Sequence, residues 1–190
     1  MKVSVPVPTV ALTLENVVVA SPGELNFIAL NLLLKAGDHV VTVSPCYQSL
    51  SEVAKSLGCQ VSYWEPHPEN WEFDVDDLKK LIRSNTRLII INFPHNPTGS
   101  YLSRSQLDEI VSMAREKEIY IFSDEMYHKL IVGDFPELPA VCDIYEKGIS
   151  LWGTSKSFGL AGLRIGWLLS QDSDFIKKVL AYKDYLSICN

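Results

Sequence analysis

Lys156 stands in the run Gly153-Thr154-Ser155-Lys156-Ser157-Phe158-Gly159-Leu160-Ala161-Gly162-Leu163-Arg164. A lysine is ordinarily a solvated surface cation, but small and hydroxyl residues flank this one and an apolar stretch follows it. That setting suits an amine partly withdrawn from water, the condition under which lysine acts as a nucleophile and forms a Schiff base with a carbonyl. Two other compact runs carry polar side chains, Asn92-Phe93-Pro94-His95-Asn96-Pro97-Thr98-Gly99 and Ser123-Asp124-Glu125-Met126-Tyr127. Asp124 follows the apolar stretch Ile119–Ser123, which puts a carboxylate at a strand's carboxyl end, where open α/β sheets bind ligands. An aspartate there also serves as a helix N-cap. Asn96 lies among turn formers, Tyr127 reads equally as a packing aromatic, and Arg164 offers a guanidinium fork that matches phosphate or carboxylate oxygens.

The elements that must position these residues follow a βαβ rhythm. Short apolar, β-branched segments at His39–Val43, Gln60–Trp64, Arg87–Asn92 and Ile119–Ser123 predict strands. Helical patterns at about 24–35, 46–57, 75–83 and 104–117 separate them, and further strands are predicted near Ile149–Trp152 and Arg164–Ser170, with a helix from Ser173. The unbroken apolar run Leu88-Ile89-Ile90-Ile91 fits a strand buried on both faces, hence a mostly parallel sheet between two helical layers. The fold class expected is three-layer α/β/α. Ser103 with Gln106, and Ser21 with Glu24, form capping-box patterns, the latter with Pro22 at the first helical position. Gly37 and Gly58 are expected to stop helices, and Gly133–Pro139 to form a loop.

Composition narrows the function classes. With 190 residues, 47% of them hydrophobic, the chain can bury a sizeable core and reads as one globular domain. A net charge of −6 without a basic cluster argues against nucleic acid as a partner. No apolar run approaches the roughly 20 residues that cross a bilayer, and the Val/Pro alternation of residues 1–20 is not a leader pattern. Cys46, Cys59, Cys142 and Cys189 have neither metal-ligand nor small-disulfide spacing, which favours reduced thiols in a cytoplasmic setting and implies no metal site.

Taken in order, the three polar segments closely resemble the motifs of the class I/II aminotransferases of the pyridoxal-phosphate fold type I superfamily. The resemblance implies pyridoxal 5′-phosphate as cofactor, held on Lys156 as an internal aldimine. It further implies that Asp124 pairs with the pyridinium nitrogen, that Asn96 and Tyr127 hydrogen-bond the ring's 3-oxygen, and that Tyr47, in Ser44-Pro45-Cys46-Tyr47, stacks on the ring. Arg164 and Ser155 would grip the phosphate together with the start of the first helix, through the Ser21 hydroxyl and the Gly23 and Glu24 amides. The strand after the lysine would run antiparallel to the others. The function implied is transfer of an amino group between an amino acid and a 2-keto acid, in a homodimer.

Family members are about twice this long, so residues 1–190 are expected to be the single cofactor-binding large domain, with the small domain largely or wholly outside them. Two departures fall at the phosphate end. Pro22, which has no N–H to donate, stands among residues that are usually of Gly-Ala-Ser/Thr type, and Gly153 stands where many relatives have a phosphate-binding serine, with Thr154 as the hydroxyl to stand in for it. A truncated noncatalytic cofactor-binding domain and a fold type I lyase are the alternative readings, since the same carbanion chemistry serves either enzyme class.

Overall fold

The computed structural model describes residues 12–133 and 135–189. The opening stretch read above for targeting signals therefore lies, through residue 11, outside the described residues. Among the described residues seven strands form one sheet: β1 (Val17–Ala20), β2 (His39–Val43), β3 (Gln60–Trp64), β4 (Thr86–Asn92), β5 (Tyr120–Asp124), β6 (Gly148–Gly153) and β7 (Gly166–Ser170). Their order across the sheet is β1-β7-β6-β5-β4-β2-β3. Strands β2 to β6 pair in parallel, and β7 runs antiparallel to both neighbours.

Six α-helices among the described residues cover the two faces: α1 (Pro22–Leu33), α2 (Ser49–Ser56), α3 (Val75–Leu81), α4 (Arg104–Glu116), α5 (Val141–Ile144) and α6 (Ser173–Leu186). The alternation of side chains along β4 divides the core in two. Ile89 and Ile91 join Val75, Leu78, Leu107, Ile110 and Ala114 from α3 and α4. Leu88 and Ile90 join Leu25, Ile28, Leu50 and Ile176 from α1, α2 and α6. These four β4 side chains are essentially inaccessible to solvent, each burial stabilising the fold by about 1.5–3 kcal/mol. The result is the three-layer arrangement that the doubly buried strand required.

Several local expectations needed correction. The helix expected from residue 46 begins at Ser49, but Leu50 N–H already bonds Tyr47 C=O at 2.9 Å and Glu52 N–H bonds Gln48 C=O at 2.9 Å, so the chain coils through a tight first turn. β7 begins at Gly166 because Arg164 takes a left-handed backbone, φ 54°, after the short 3-10 turn Ala161–Leu163. Helix α5 lies just beyond the expected loop and was missed, being a single turn too short to show a period. Gly58 does end α2, with φ 81°, whereas Gly37 occupies a turn closed by Asp38 N–H to Lys35 C=O rather than a helix stop. The capping box of Ser103 and Gln106 forms. The one of Ser21 and Glu24 does not: Ser21 makes no side-chain cap, and Glu24 Oε1 instead accepts from the Ser187 hydroxyl at the end of α6.

Gly148, the first residue of β6, lets α5 fold back onto that strand. A Cβ there would lie 2.5 Å from the Val141 carbonyl oxygen and 2.9 Å from that of Tyr145. Backbone oxygens cannot swing aside, so Gly148→Ala is expected to lower stability by about 2 kcal/mol or more in chemical denaturation. Unchanged stability would show that α5 is free to lift from the sheet.

Candidate functional site

The carboxyl ends of the parallel strands meet α1 and α2 around a cavity of about 320 Å³. Its wall includes Gly23, Tyr47, Asn96, Asp124, Tyr127, Ser155, Lys156 and Arg164, eight residues singled out in the sequence. Ser21 and Glu24 do not line it. Glu24's carboxylate is held at α6, which leaves only its backbone amide facing the helix start.

Sheet register does much of the assembly. Asn92 and Asp124, the last residues of β4 and β5, pair with each other, and Asp124 pairs in turn with Leu151, two residues before the end of β6. Asn92, which the sequence reading passed over, ties them to the loop above: its Nδ2 donates to the Asp124 carbonyl at 2.8 Å and its Oδ1 accepts the Asn96 N–H at 3.0 Å. The only sequence sign was a polar residue ending an apolar run. His95 adds a second tie. Since the Pro45 carbonyl can only accept, His95 Nε2 donates to it at 2.9 Å, and Nδ1 accepts from the Thr98 hydroxyl at 2.7 Å. Burial lowers the His95 pKa, which favours this neutral ring. The turn bearing Asn96 and the loop bearing Tyr47 are thereby joined.

Asn26 was also missed. It is a buried polar residue in the otherwise apolar middle of α1, and its Nδ2 donates to Ser49 O at 3.1 Å and Ser49 Oγ at 2.8 Å, fixing the start of α2 beside the cavity. Its Oδ1 is buried without a partner among the described residues. Opposite, the Gly23 and Glu24 N–H groups meet no acceptor among the described residues. The start of α1 thus presents free donors at a positive helix end, suited to an anion. Arg164 lies on the same wall, its left-handed backbone turning the chain between the 3-10 turn and β7.

The lysine loop is pinned by its neighbours. Ser157 Oγ donates to Met126 C=O at 2.8 Å, and Thr154 Oγ1 lies 3.0 Å from Ile165 C=O and 3.2 Å from Leu160 C=O. Thr154 therefore spends its hydroxyl on the loop and does not stand in for the serine missing at position 153. Lys156 Nζ lies 6.0 Å from the centroid of the Tyr127 ring. Contrary to the expected desolvation, Lys156 is exposed, because the residues that could close over it, Phe158, Leu160 and Leu163, are themselves about half exposed.

Two adjacent carboxyl groups sit at the end of β5 in different surroundings. Asp124 faces the cavity, and burial pushes its pKa up to about 6 against the pull of the Met126 N–H, which donates to Oδ1 at 3.2 Å. Glu125 is buried on the other side. It accepts from Val141 N–H and Ser150 Oγ on Oε1 and from Trp152 Nε1 on Oε2, at 3.0, 2.9 and 2.6 Å. Burial pushes it up to about 7 in spite of these donors. No cation approaches Glu125 among the described residues, and its bond from the Val141 N–H caps the start of α5. None of the four histidines lines the cavity; His128 packs on Trp152, with ring centroids 4.6 Å apart, and His67 lies at the surface 3.6 Å from Asp77.

A carboxyl group whose folded pKa is raised binds its proton more tightly folded than unfolded, so its contribution to stability is greatest in acid and declines as pH rises through that window. Relative to Glu125→Gln, the parent is expected to lose stability between about pH 4.5 and about 7, by roughly 3 kcal/mol in all. Denaturant titrations of both proteins across that range check it, and parallel profiles would show that the Glu125 carboxyl is not perturbed.

Comparison with known proteins gives this geometry a family. The family model for aminotransferase class I and II matches residues 5–188. The chain is 32% identical over 166 residues to capreomycidine synthase of Streptomyces vinaceus, covering 87% of this chain and 42% of that one. It is 30% identical over 178 residues to an aspartate aminotransferase of Pyrococcus abyssi, covering 92% and 46%. Among solved structures, a PLP-dependent aminotransferase from Streptococcus suis superposes with a TM-score of 0.84 at 37% identity, over 92% of this chain and 46% of that one. The chain thus spans less than half the length of each of these relatives. The match of nearly its whole length to the family model, on a sheet of the same architecture, shows that the chain belongs to the class I and II aminotransferases.

Proposed function

We propose that this chain binds pyridoxal 5′-phosphate in the cavity at the carboxyl ends of β4 to β6, and that the protein moves an amino group between an amino acid and a 2-keto acid. The observation that carries the reading is the convergence on one cavity of residues from five separated segments: Tyr47, Asn96, Asp124 with Tyr127, Ser155 with Lys156, and Arg164 beside the start of α1. The donor set suits this cofactor. The cavity wall includes a buried carboxyl group that has no cation beside it among the described residues, Asp124, together with the free Gly23 amide and Arg164.

When bound, pyridoxal phosphate supplies an aldehyde that an amine can capture and a ring that draws electrons from an attached amino acid. Asp124 is the group for a protonated ring nitrogen: a cation beside it offsets the burial that now raises its pKa, and its negative charge in turn holds that proton. Asn96 and Tyr127 offer hydrogen bonds to the ring's oxygen, and the exposed face of Tyr47 offers a stacking surface. Lys156 Nζ is the amine for the aldehyde, and as a free amine it is the base that carries a proton at the substrate's α-carbon. The apolar residues Phe158, Leu160 and Leu163 beside it are suited to cover by a second copy of the chain, in a homodimer. The four free cysteines fit a reducing, cytoplasmic setting.

Addition of pyridoxal phosphate is expected to give a visible absorbance band, and borohydride reduction followed by peptide mapping to place the label on Lys156. Lys156→Ala is expected to abolish covalent attachment while leaving the fold intact by circular dichroism. Label retained on another lysine would refute the assignment. In the assembled enzyme, Asp124→Asn is expected to reduce turnover by roughly 10²–10³-fold, the scale of losing one fixed charge at a reacting centre, with a much smaller change in substrate KM.

A further inference from the structure

The two departures at the phosphate end, Pro22 and Gly153, are a single packing event. Gly153 ends β6 and pairs across the sheet with Gly166, which opens β7. A Cβ on Gly153 would stand 2.8 Å from Pro22 Cγ and 2.8 Å from Met126 Cε. One on Gly166 would stand 2.6 Å from the same Pro22 Cγ and 2.6 Å from the Trp152 carbonyl oxygen. Neither glycine has a positive φ, so backbone freedom does not explain them. Room for the proline ring accounts for Gly153, while Gly166 must clear the fixed Trp152 carbonyl as well as the ring. Met126 has a flexible thioether end that can swing away, whereas the ring of Pro22 is fixed to the backbone of the first turn of α1.

We propose that Pro22 is a wedge that shapes the phosphate end of the cavity: its ring fills the space of a side chain at position 153 and, having no N–H, also withholds one backbone donor. The anion is then left to the Gly23 amide, Ser155 and Arg164, which line the cavity. The identity of that anion rests on the pyridoxal-phosphate reading, while the wedge itself rests on packing alone. Thr154 does not make up the deficit, since its hydroxyl is bound to loop carbonyls. The chain therefore holds its phosphate with two donors fewer than a relative with an ordinary residue in place of Pro22 and a serine in place of Gly153.

The test is a double-substitution cycle read first without cofactor. Gly153→Ala is expected to lower Tm by about 4–8 °C when residue 22 is proline, and by less than half as much in the Pro22→Ala background. Equal losses in both backgrounds, or no loss in either, would overturn the wedge. Should Gly153→Ala alone fail to fold, recovery of a folded chain by adding Pro22→Ala demonstrates the same coupling. Titration with pyridoxal 5′-phosphate, with inorganic phosphate as competitor, then reads the site. The chain carrying Pro22→Ala and Gly153→Ser together is expected to bind about tenfold tighter than the parent, through the restored N–H and the new hydroxyl. Affinity no better than the parent's would overturn the claim that the ring withholds those donors. A parent chain that binds no cofactor while the Tm coupling persists would refute the cofactor reading and support the wedge.

Discussion

The site depends on the parallel, in-register pairing of β4, β5 and β6. Because all three strands point the same way and are buried on both faces, their last residues share one edge, where the backbone leaves the apolar core and polar side chains become affordable. Asn92 and Asp124 are neighbours only because β4 and β5 pair in that register. A slip of one residue would turn Asp124 toward the opposite helical layer and present Glu125 or Ser123 to the cavity. The apolar residues behind the edge, Ile89 to Ile91 and Ile121 to Phe122, hold that register with the full weight of the core.

The same alternation explains how two adjacent acids coexist in a dry region. Asp124 and Glu125 leave the end of β5 in different directions, and each meets its own solution to the loss of water. Glu125 is surrounded by fixed donors from α5 and β6 and organises the structure beneath the site. Asp124 has one backbone donor and an open side toward the cavity, so its remaining need can be met only by something that enters there. The difference between structural and functional acid is one of supplied partners, since burial raises the pKa of both.

What the sequence made legible follows from the range of the interactions involved. β2 and β3 appear at the residues expected and β4, β5, α3 and α4 within one or two of them, because their apolar periods and caps are local signals. The eight cavity residues were legible because they lie within short, ordered motifs. Asn26, Asn92 and His95 were not assigned their parts, since each acts by tying together segments far apart in the chain, and a tie between α1 and Ser49 or between His95 and Pro45 leaves no local pattern. Ser21 and Glu24 show the converse: a correct local signal for a cap was overridden when Ser187, brought in by α6, took the glutamate. The exposure of Lys156 was likewise beyond reach, because it depends on which surfaces cover the loop.

Pro22 and Gly153 carry this point into function. Each looks like an isolated loss when a sequence is read residue by residue, one of a backbone donor and the other of a hydroxyl. In space they are one exchange, because Pro22 Cγ lies only 2.8 Å from where a Cβ on Gly153 would be. Once the proline is present, any side chain at position 153 must clear both the end of Met126, which can swing away, and a ring locked to the helix backbone, which cannot, so glycine is the residue that leaves α1 seated on the sheet. Seating α1 is what brings the free Gly23 amide to the cavity wall. The wedge thus withholds two donors from an anion while keeping the helix end that supplies the others in place, and the electrostatics of the site follow from how closely a helix packs against two strands.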